Sequence, residues 1–248
     1  MNILILEGIR KSGDDIVFDF TKDFNTAIIS LNVQRFNKKL STRVGTHIYF
    51  GYQYNEGGGQ NLAVVRDAIK YLDFSKINES DLRLMIVKAV TNFIKVNGNK
   101  IDLIITPKSS GKLVNYIAEL FKEKLGSNVL LATDTLVKNT VDNIKIDPQK
   151  LDKLDDVQRK NVLNAIKYAT KTGSFKMKSI PIPMRRLIID FMTFSNETSR
   201  QVFNLLSGGN ILLLDDIYTG GSTFNEMSRI INEYEPKSLT GFVLLLSK

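Results

Sequence analysis

The chain contains no cysteine and a single histidine, His47. A disulfide framework and a thiolate metal centre are thereby excluded, as is any site built on several imidazoles. A chain without cysteine suits a reducing cytoplasm. No apolar run approaches the roughly 20 residues that cross a bilayer, so no membrane association is expected. The opening MNILILEGIR is too short and too soon acidic for a signal peptide. Internal repeats and low-complexity tracts are also missing, and neither a helix-turn-helix nor a zinc ribbon is visible.

The 248 residues, 43% hydrophobic and 24% charged, are enough for one sizeable α/β domain with an appendage. The net charge of +8 fits either nucleic acid or a phosphate-rich small substrate. The lysines are scattered through helical stretches and form no block. That distribution favours solvated helix faces plus a local phosphate site, and leaves nucleic acid an open but disfavoured partner.

Residues 1–60 read as β-rich, with short apolar or alternating runs in MNILIL, DIVFDF, TAIISL and THIYFGYQY. They are expected to form an accessory β-layer. From Asn61 the period becomes helical: Leu62, Val65, Ile69 and Leu72 share one face, and after Ser80 so do Leu82, Met85, Ile86, Ala89, Val90 and Phe93. Gly98 follows as a cap. IDLIIT is a strand, PKSSG a loop, and a helix carrying Leu113, Tyr116, Ile117, Leu120 and Phe121 runs to Gly126. NVLLAT is the next strand. This β-α-β rhythm predicts a Rossmann-like parallel sheet flanked by helices, with residues 61–248 as the core. Residues 138–184 interrupt it with a polar stretch, a helix from about Leu151 to Thr170 and a basic, turn-rich segment. They are read as a helical insertion that forms a lid. RRLIIDFMTF resumes as a strand, GGNILLLDD is another, Thr223 to Tyr234 is a helix, and LTGFVLLLS closes the sheet.

The stretch with the most chemistry is ILLLDDIYTGGST, Ile211 to Thr223. In an open parallel sheet, ligands bind at the carboxyl ends of strands. Asp215 and Asp216 stand at such an end, where they are expected to remain solvated in a cleft, since buried like charges are costly. Two carboxylates there suit the vicinal hydroxyls of a sugar and can sit near a divalent cation. Thr219, Gly220, Gly221, Ser222 and Thr223 then turn into a helix. Glycines let successive N–H groups point inward, and the helix start adds unpaired donors and positive partial charge. This is a cradle for a phosphate monoester, so the two halves together describe a ribose 5-phosphate site.

These thirteen residues resemble the signature of the type I phosphoribosyltransferases, which bind 5-phosphoribosyl 1-diphosphate (PRPP). The signature has four hydrophobic residues, two acidic, two variable and a hydroxyl-rich glycine loop. The resemblance covers about Asn99 to Thr135 and Arg186 to the end. It implies the type I phosphoribosyltransferase fold, Mg²⁺ as cofactor, PRPP and a nitrogen-base acceptor as partners, and a homodimer. Asp215 and Asp216 would be the catalytic acidic pair, indirectly near the metal. The second loop of the family, for pyrophosphate, corresponds to TPKSSGK, with Lys108, Ser109, Ser110 and Gly111 as binding residues. A Walker A reading of the same stretch fails, because Thr106 and Leu113 occupy its required glycine and hydroxyl positions.

A mobile basic residue is also implied, with Lys138, Lys176, Lys178, Arg185 and Arg186 as candidates. Thr219 stands where the 6-oxopurine enzymes typically carry an aspartate, which weakens a hypoxanthine or guanine assignment. Tyr218 is expected to lean toward the acceptor base. The acceptor pocket, or hood, would come from residues 1–60 or from the insertion. His47 reads as a packed strand residue, and Tyr49, Phe50, Tyr52 and Tyr54 as strand aromatics that could stack a base. Two other readings compete with an enzyme of nucleotide metabolism. One is a PRPP-binding regulatory or nucleic-acid-associated protein without turnover. The other is a PRPP synthetase relative, whose paired domain is not visible.

Overall fold

The computed structural model describes residues 9–12, 15–18, 27–31, 46–54, 60–97, 100–109, 111–173, 175, 180–218 and 221–247. Strands β1 (Ile9–Ser12) and β2 (Asp15–Phe18) form an antiparallel hairpin. β3 (Ala27–Leu31) and β4 (Thr46–Tyr54) precede helices α1 (Gln60–Tyr71) and α2 (Glu79–Asn97). Then come β5 (Leu103–Pro107), α3 (Leu113–Leu125) and β6 (Leu130–Lys138). The segment read as an insertion holds β7 (Lys145–Ile146), α4 (Pro148–Leu151) and α5 (Asp156–Thr172). After it come β8 (Ile188–Ile189), β9 (Met192–Phe194), α6 (Arg200–Leu206), β10 (Asn210–Tyr218), α7 (Ser222–Asn232) and β11 (Ser238–Ser247).

Seven strands form one sheet in the order β3-β4-β11-β10-β5-β6-β9. The five inner strands are parallel, and β3 and β9 run antiparallel at the two edges. The apolar runs LIIT and ILLL make inner strands because both faces of a parallel sheet are covered by helices. Successive residues serve opposite faces. Ile104, Leu212, Leu214, Phe242 and Leu244 pack with α1, α2 and α3. Leu103, Ile105, Ile211, Leu213 and Val243 pack with α5, α6 and α7. On the first face Phe93, Phe121 and Phe242 meet edge to face, with centroids 5.2–5.4 Å apart. All six positions expected on the inner face of α2 are buried.

Asp102 fixes the register at the amino end of the sheet. Its Oδ2 accepts the N–H of Asn210 at 2.8 Å and the side-chain amide of Asn210 at 2.7 Å. At the other end the strands part: β10 pairs with β5 only from Ile211 to Leu213, whereas its pairing with β11 continues to Tyr218. β6 bulges between Ala132 and Leu136, opposite Ile105 to Pro107 of β5, and Thr106 Oγ1 accepts the N–H of Asp134, whose φ is 52°. From β5 the chain crosses by α3 to β6 on one side. From β10 it crosses by α7 to β11 on the other. The gap between the carboxyl ends of β5 and β10 is therefore the topological switch point of the sheet.

Four expectations are corrected. β3 and β4, expected in an accessory layer, belong to the main sheet, β4 being hydrogen-bonded along β11. The helix expected from Leu151 is two helices, because Asp155 Oδ1 caps a new start by accepting the N–H of Gln158 at 2.8 Å. RRLIIDFMTF is two short strands broken at Asp190, which has φ 58°. α6 is an additional helix that the periodicity does not announce; Ser199 caps it through the N–H of Val202. The insertion is also anchored: Val162 and Ala169 of α5 lie in the second core face beside Leu187 and Ile188. The expected strand at residues 1–6 and the cap at Gly98 lie outside the described residues.

Candidate functional site at the switch point

Both loops singled out in the sequence leave the carboxyl ends of β5 and β10. Lys108, Ser109 and Gly111 follow β5, and Gly221, Ser222 and Thr223 follow the end of β10 into α7. Ser110, Thr219 and Gly220 lie outside the described residues.

The acidic pair is not solvated as expected. Asp215 is 8% exposed and Asp216 5%. Strand alternation explains how two carboxylates share this position: neighbouring residues of β10 point to opposite faces. Each carboxylate accepts the next backbone N–H, Asp215 Oδ1 from Asp216 at 2.9 Å and Asp216 Oδ1 from Ile217 at 2.8 Å. Asp216 Oδ2 meets Lys70 Nζ at 2.8 Å, in the last turn of α1. Burial pushes the Asp215 carboxyl well above the usual carboxylate range, and the charge of Asp216 adds to the push. For Lys70, burial alone would lower the ammonium, but Asp216, with Asp215 behind it, holds it above its ordinary value.

Lys70 leaves almost no mark in the sequence. Its neighbour Ile69 defines a helix face, and nothing local distinguishes Lys70 from a solvated lysine. The only trace is a cation in a final helical turn, which is common. Its stem also explains Gly111. A Cβ on Gly111 would stand 2.7 Å from Lys70 Cγ and 2.8 Å from the Lys70 carbonyl oxygen. Lys70 thus touches the loop after β5 through Gly111 and the end of β10 through Asp216.

Gly221 caps α7 with φ 70°, a left-handed conformation that favours glycine. The first N–H groups of α7 have no intrahelical partners. Ser222 and Thr223 are close beside them, Thr223 half-buried. A cavity of about 20 Å³ opens here, lined by Asp215, Ile217, Tyr218 and residues 221–224. That is room for a water molecule and not for a phosphate. Tyr218 closes it: the ring lies 6.3 Å from that of Phe224, and a methyl group on Gly221 would strike the Tyr218 phenol oxygen. The Tyr218 ring therefore lies over the start of α7, beside Gly221 and Phe224.

In the loop after β5 two amides are already engaged. Lys108 N–H donates to Leu136 O at 2.7 Å, and Gly111 N–H to Ser109 Oγ at 3.1 Å. The Lys108 side chain is exposed, as is Lys138 at the end of β6. Arg185 Nε donates to Ile180 O at 2.9 Å. Lys176, Lys178 and the Arg186 side chain lie outside the described residues, as do the side chains of His47, Tyr52 and Tyr54. Ile48 and Phe50 are buried in the second core face, and Tyr49 packs edge to face on Phe93 at 5.2 Å.

A second polar cluster anchors α7. Arg229 meets Asp190 at 2.7 Å, the buried Glu226 at 3.0 Å and Glu233 at 2.7 Å. Lys145 of β7 meets Asp190 at 2.8 Å, so α7 is tied to the insertion.

Among the described residues no group of three or more acidic, histidine or cysteine side chains could hold a metal, and no helix is long and apolar enough to cross a membrane. No protein-family model and no curated protein matches the chain.

Proposed function

We propose that the protein is a phosphoribosyltransferase of type I architecture, transferring ribose 5-phosphate from PRPP to a nitrogen acceptor with release of pyrophosphate. One observation carries this reading. The acidic end of β10 and the loop after β5 flank the same gap, at the carboxyl ends of two neighbouring parallel strands at the switch point. A sugar bearing phosphate groups at both ends would span them.

In this reading α7 presents its first N–H groups, with Ser222 and Thr223, to the 5′-phosphate. Asp215 and Asp216 accept hydrogen bonds from the ribose hydroxyls. The loop from Lys108 to Gly111 faces the pyrophosphate. The bond from C1 to the pyrophosphate oxygen breaks as the acceptor nitrogen approaches C1, and its electron pair leaves with pyrophosphate. No side-chain nucleophile is needed. The chain contributes orientation, exclusion of water and negative charge near the cationic ribose. Two carboxylates without a third ligand fit Mg²⁺, which is commonly held by one or two carboxylates together with substrate phosphate oxygens. Bound there, the ion would neutralise charge on the leaving pyrophosphate. The cytoplasm is the proposed location.

The test is PRPP binding by calorimetry, beside pyrophosphate release with Mg²⁺ across a panel of purine and pyrimidine bases. Release with one base identifies the acceptor. Binding without release with any base favours a PRPP-binding regulator. No binding refutes the proposal.

A further inference from the structure

We infer that Lys70 is a ligand of the substrate's diphosphate, held on Asp216 until the ribose arrives. The inference rests on the phosphoribosyltransferase reading of the site. Three observations carry it.

The first is position. The Lys70 stem fills the space that a side chain at residue 111 would need, with Cγ at 2.7 Å and Cε at 3.1 Å from that point. The stem therefore runs against the loop assigned to the pyrophosphate, and its ammonium ends on β10 at Asp216 Oδ2.

The second is satisfaction. Among the described residues, Lys70 Nζ at 2.8 Å is the partner of Asp216 Oδ2, while Asp216 Oδ1 takes the N–H of Ile217. A hydroxyl donated by the ribose would satisfy that oxygen and release Lys70. Lysine suits such an exchange, because its charge sits at the end of a flexible four-carbon stem. The side chain is 26% exposed, so its tip already borders solvent.

The third is charge. Two carboxylates stand at the end of β10, on its opposite faces, and Lys70 is in contact with Asp216, a poor setting for a highly anionic ligand. A cation that moves from carboxylate to diphosphate as the hydroxyls take over corrects this at the moment of binding.

The experiment compares three probes by calorimetry: PRPP, inorganic pyrophosphate and ribose 5-phosphate, each with Mg²⁺. Lys70→Met keeps the stem beside Gly111 and removes the charge. It is expected to weaken PRPP and pyrophosphate about 30-fold, the loss of one charge-assisted hydrogen bond. Ribose 5-phosphate, which has no diphosphate, should change less than about 3-fold. Lys70→Arg should recover part of the pyrophosphate affinity. Lys70→Gln, a second neutral variant of similar length, should weaken pyrophosphate as Lys70→Met does.

Equal losses for ribose 5-phosphate and PRPP would mean that Lys70 only keeps Asp216 in order, and would overturn the inference. So would unchanged pyrophosphate affinity in both folded variants. If Lys70→Met fails to fold, Lys70→Gln and Lys70→Arg decide by the same criterion. Failure of the unmodified protein to bind PRPP or ribose 5-phosphate refutes the functional reading itself, and the role of Lys70 falls with it.

Discussion

Replacing Asp215 by Asn should stabilise the protein while removing its ligand affinity. Asp215 is 8% exposed, and its carboxyl is pushed well above the usual range, first by burial and then by Asp216. The sign follows from linkage. A carboxyl whose folded pKa exceeds its unfolded value favours folding at low pH, where it is protonated in both states. That contribution is lost as pH rises through the folded pKa. Asparagine has the same shape and can still accept the N–H of Asp216, now 2.9 Å from Asp215 Oδ1. The substitution removes the cost of the buried charge without breaking that bond. Raising a carboxyl pKa by one on folding costs about 1.4 kcal/mol at high pH, and single stabilising changes commonly reach about 0.5–2 kcal/mol. A gain of about 1–2 kcal/mol at pH 8 is therefore expected, which for a chain of this size raises Tm by about 3–6 °C. Thermal unfolding followed by circular dichroism from pH 4 to 8 measures it. The gain should shrink as pH falls through the raised folded pKa toward the ordinary carboxylate range, while PRPP binding is lost. A lower Tm at pH 8, or a gain independent of pH, would refute the argument that Asp215 is a buried charge held at a cost.

Gly221→Ala should cost about 1–3 kcal/mol, since it puts a Cβ at φ 70° and against the Tyr218 phenol. Tyr218→Ala should relieve part of that cost, so denaturation of the double variant should show non-additive losses. Arg229→Met should destabilise by about 3 kcal/mol, because it leaves the buried Glu226 without its cation, and urea unfolding at neutral pH reads it. Phe93→Ala should cost about 3–5 kcal/mol by removing the ring that joins Phe121 and Phe242, without altering the site at the other end of the sheet; chemical denaturation beside a ligand titration checks both halves.

Much of the architecture is legible in the sequence because inner parallel strands and amphipathic helices leave strong local patterns. LIIT and ILLL, the apolar face of α2 and the stop at Gly126 are all where periodicity puts them. Pattern and structure diverge where a local signal competes with a stronger one. Asp155 restarts a helix inside a continuous apolar stripe, and Asp190 breaks a run that reads as one strand. The opposite orientation of Asp215 and Asp216 follows from the strand period, yet the charge rule that argues for solvation hides it. Burial is tolerated because each carboxylate takes a backbone N–H and one of them takes a lysine.

By itself the sequence determined the strand and helix alphabet, the adjacency of an acidic pair to a glycine- and hydroxyl-rich helix start, and the absence of thiolate or multi-histidine chemistry. These are short-range properties, read from neighbours along the chain. Tertiary structure decided what depends on distant segments meeting. It placed β4 along β11 and opened the gap between β5 and β10. It folded Tyr218 over Gly221, and it brought Lys70, from a helix early in the chain, to Asp216 near its end. No local pattern encodes such a meeting, because its energy arises only when both partners leave water together.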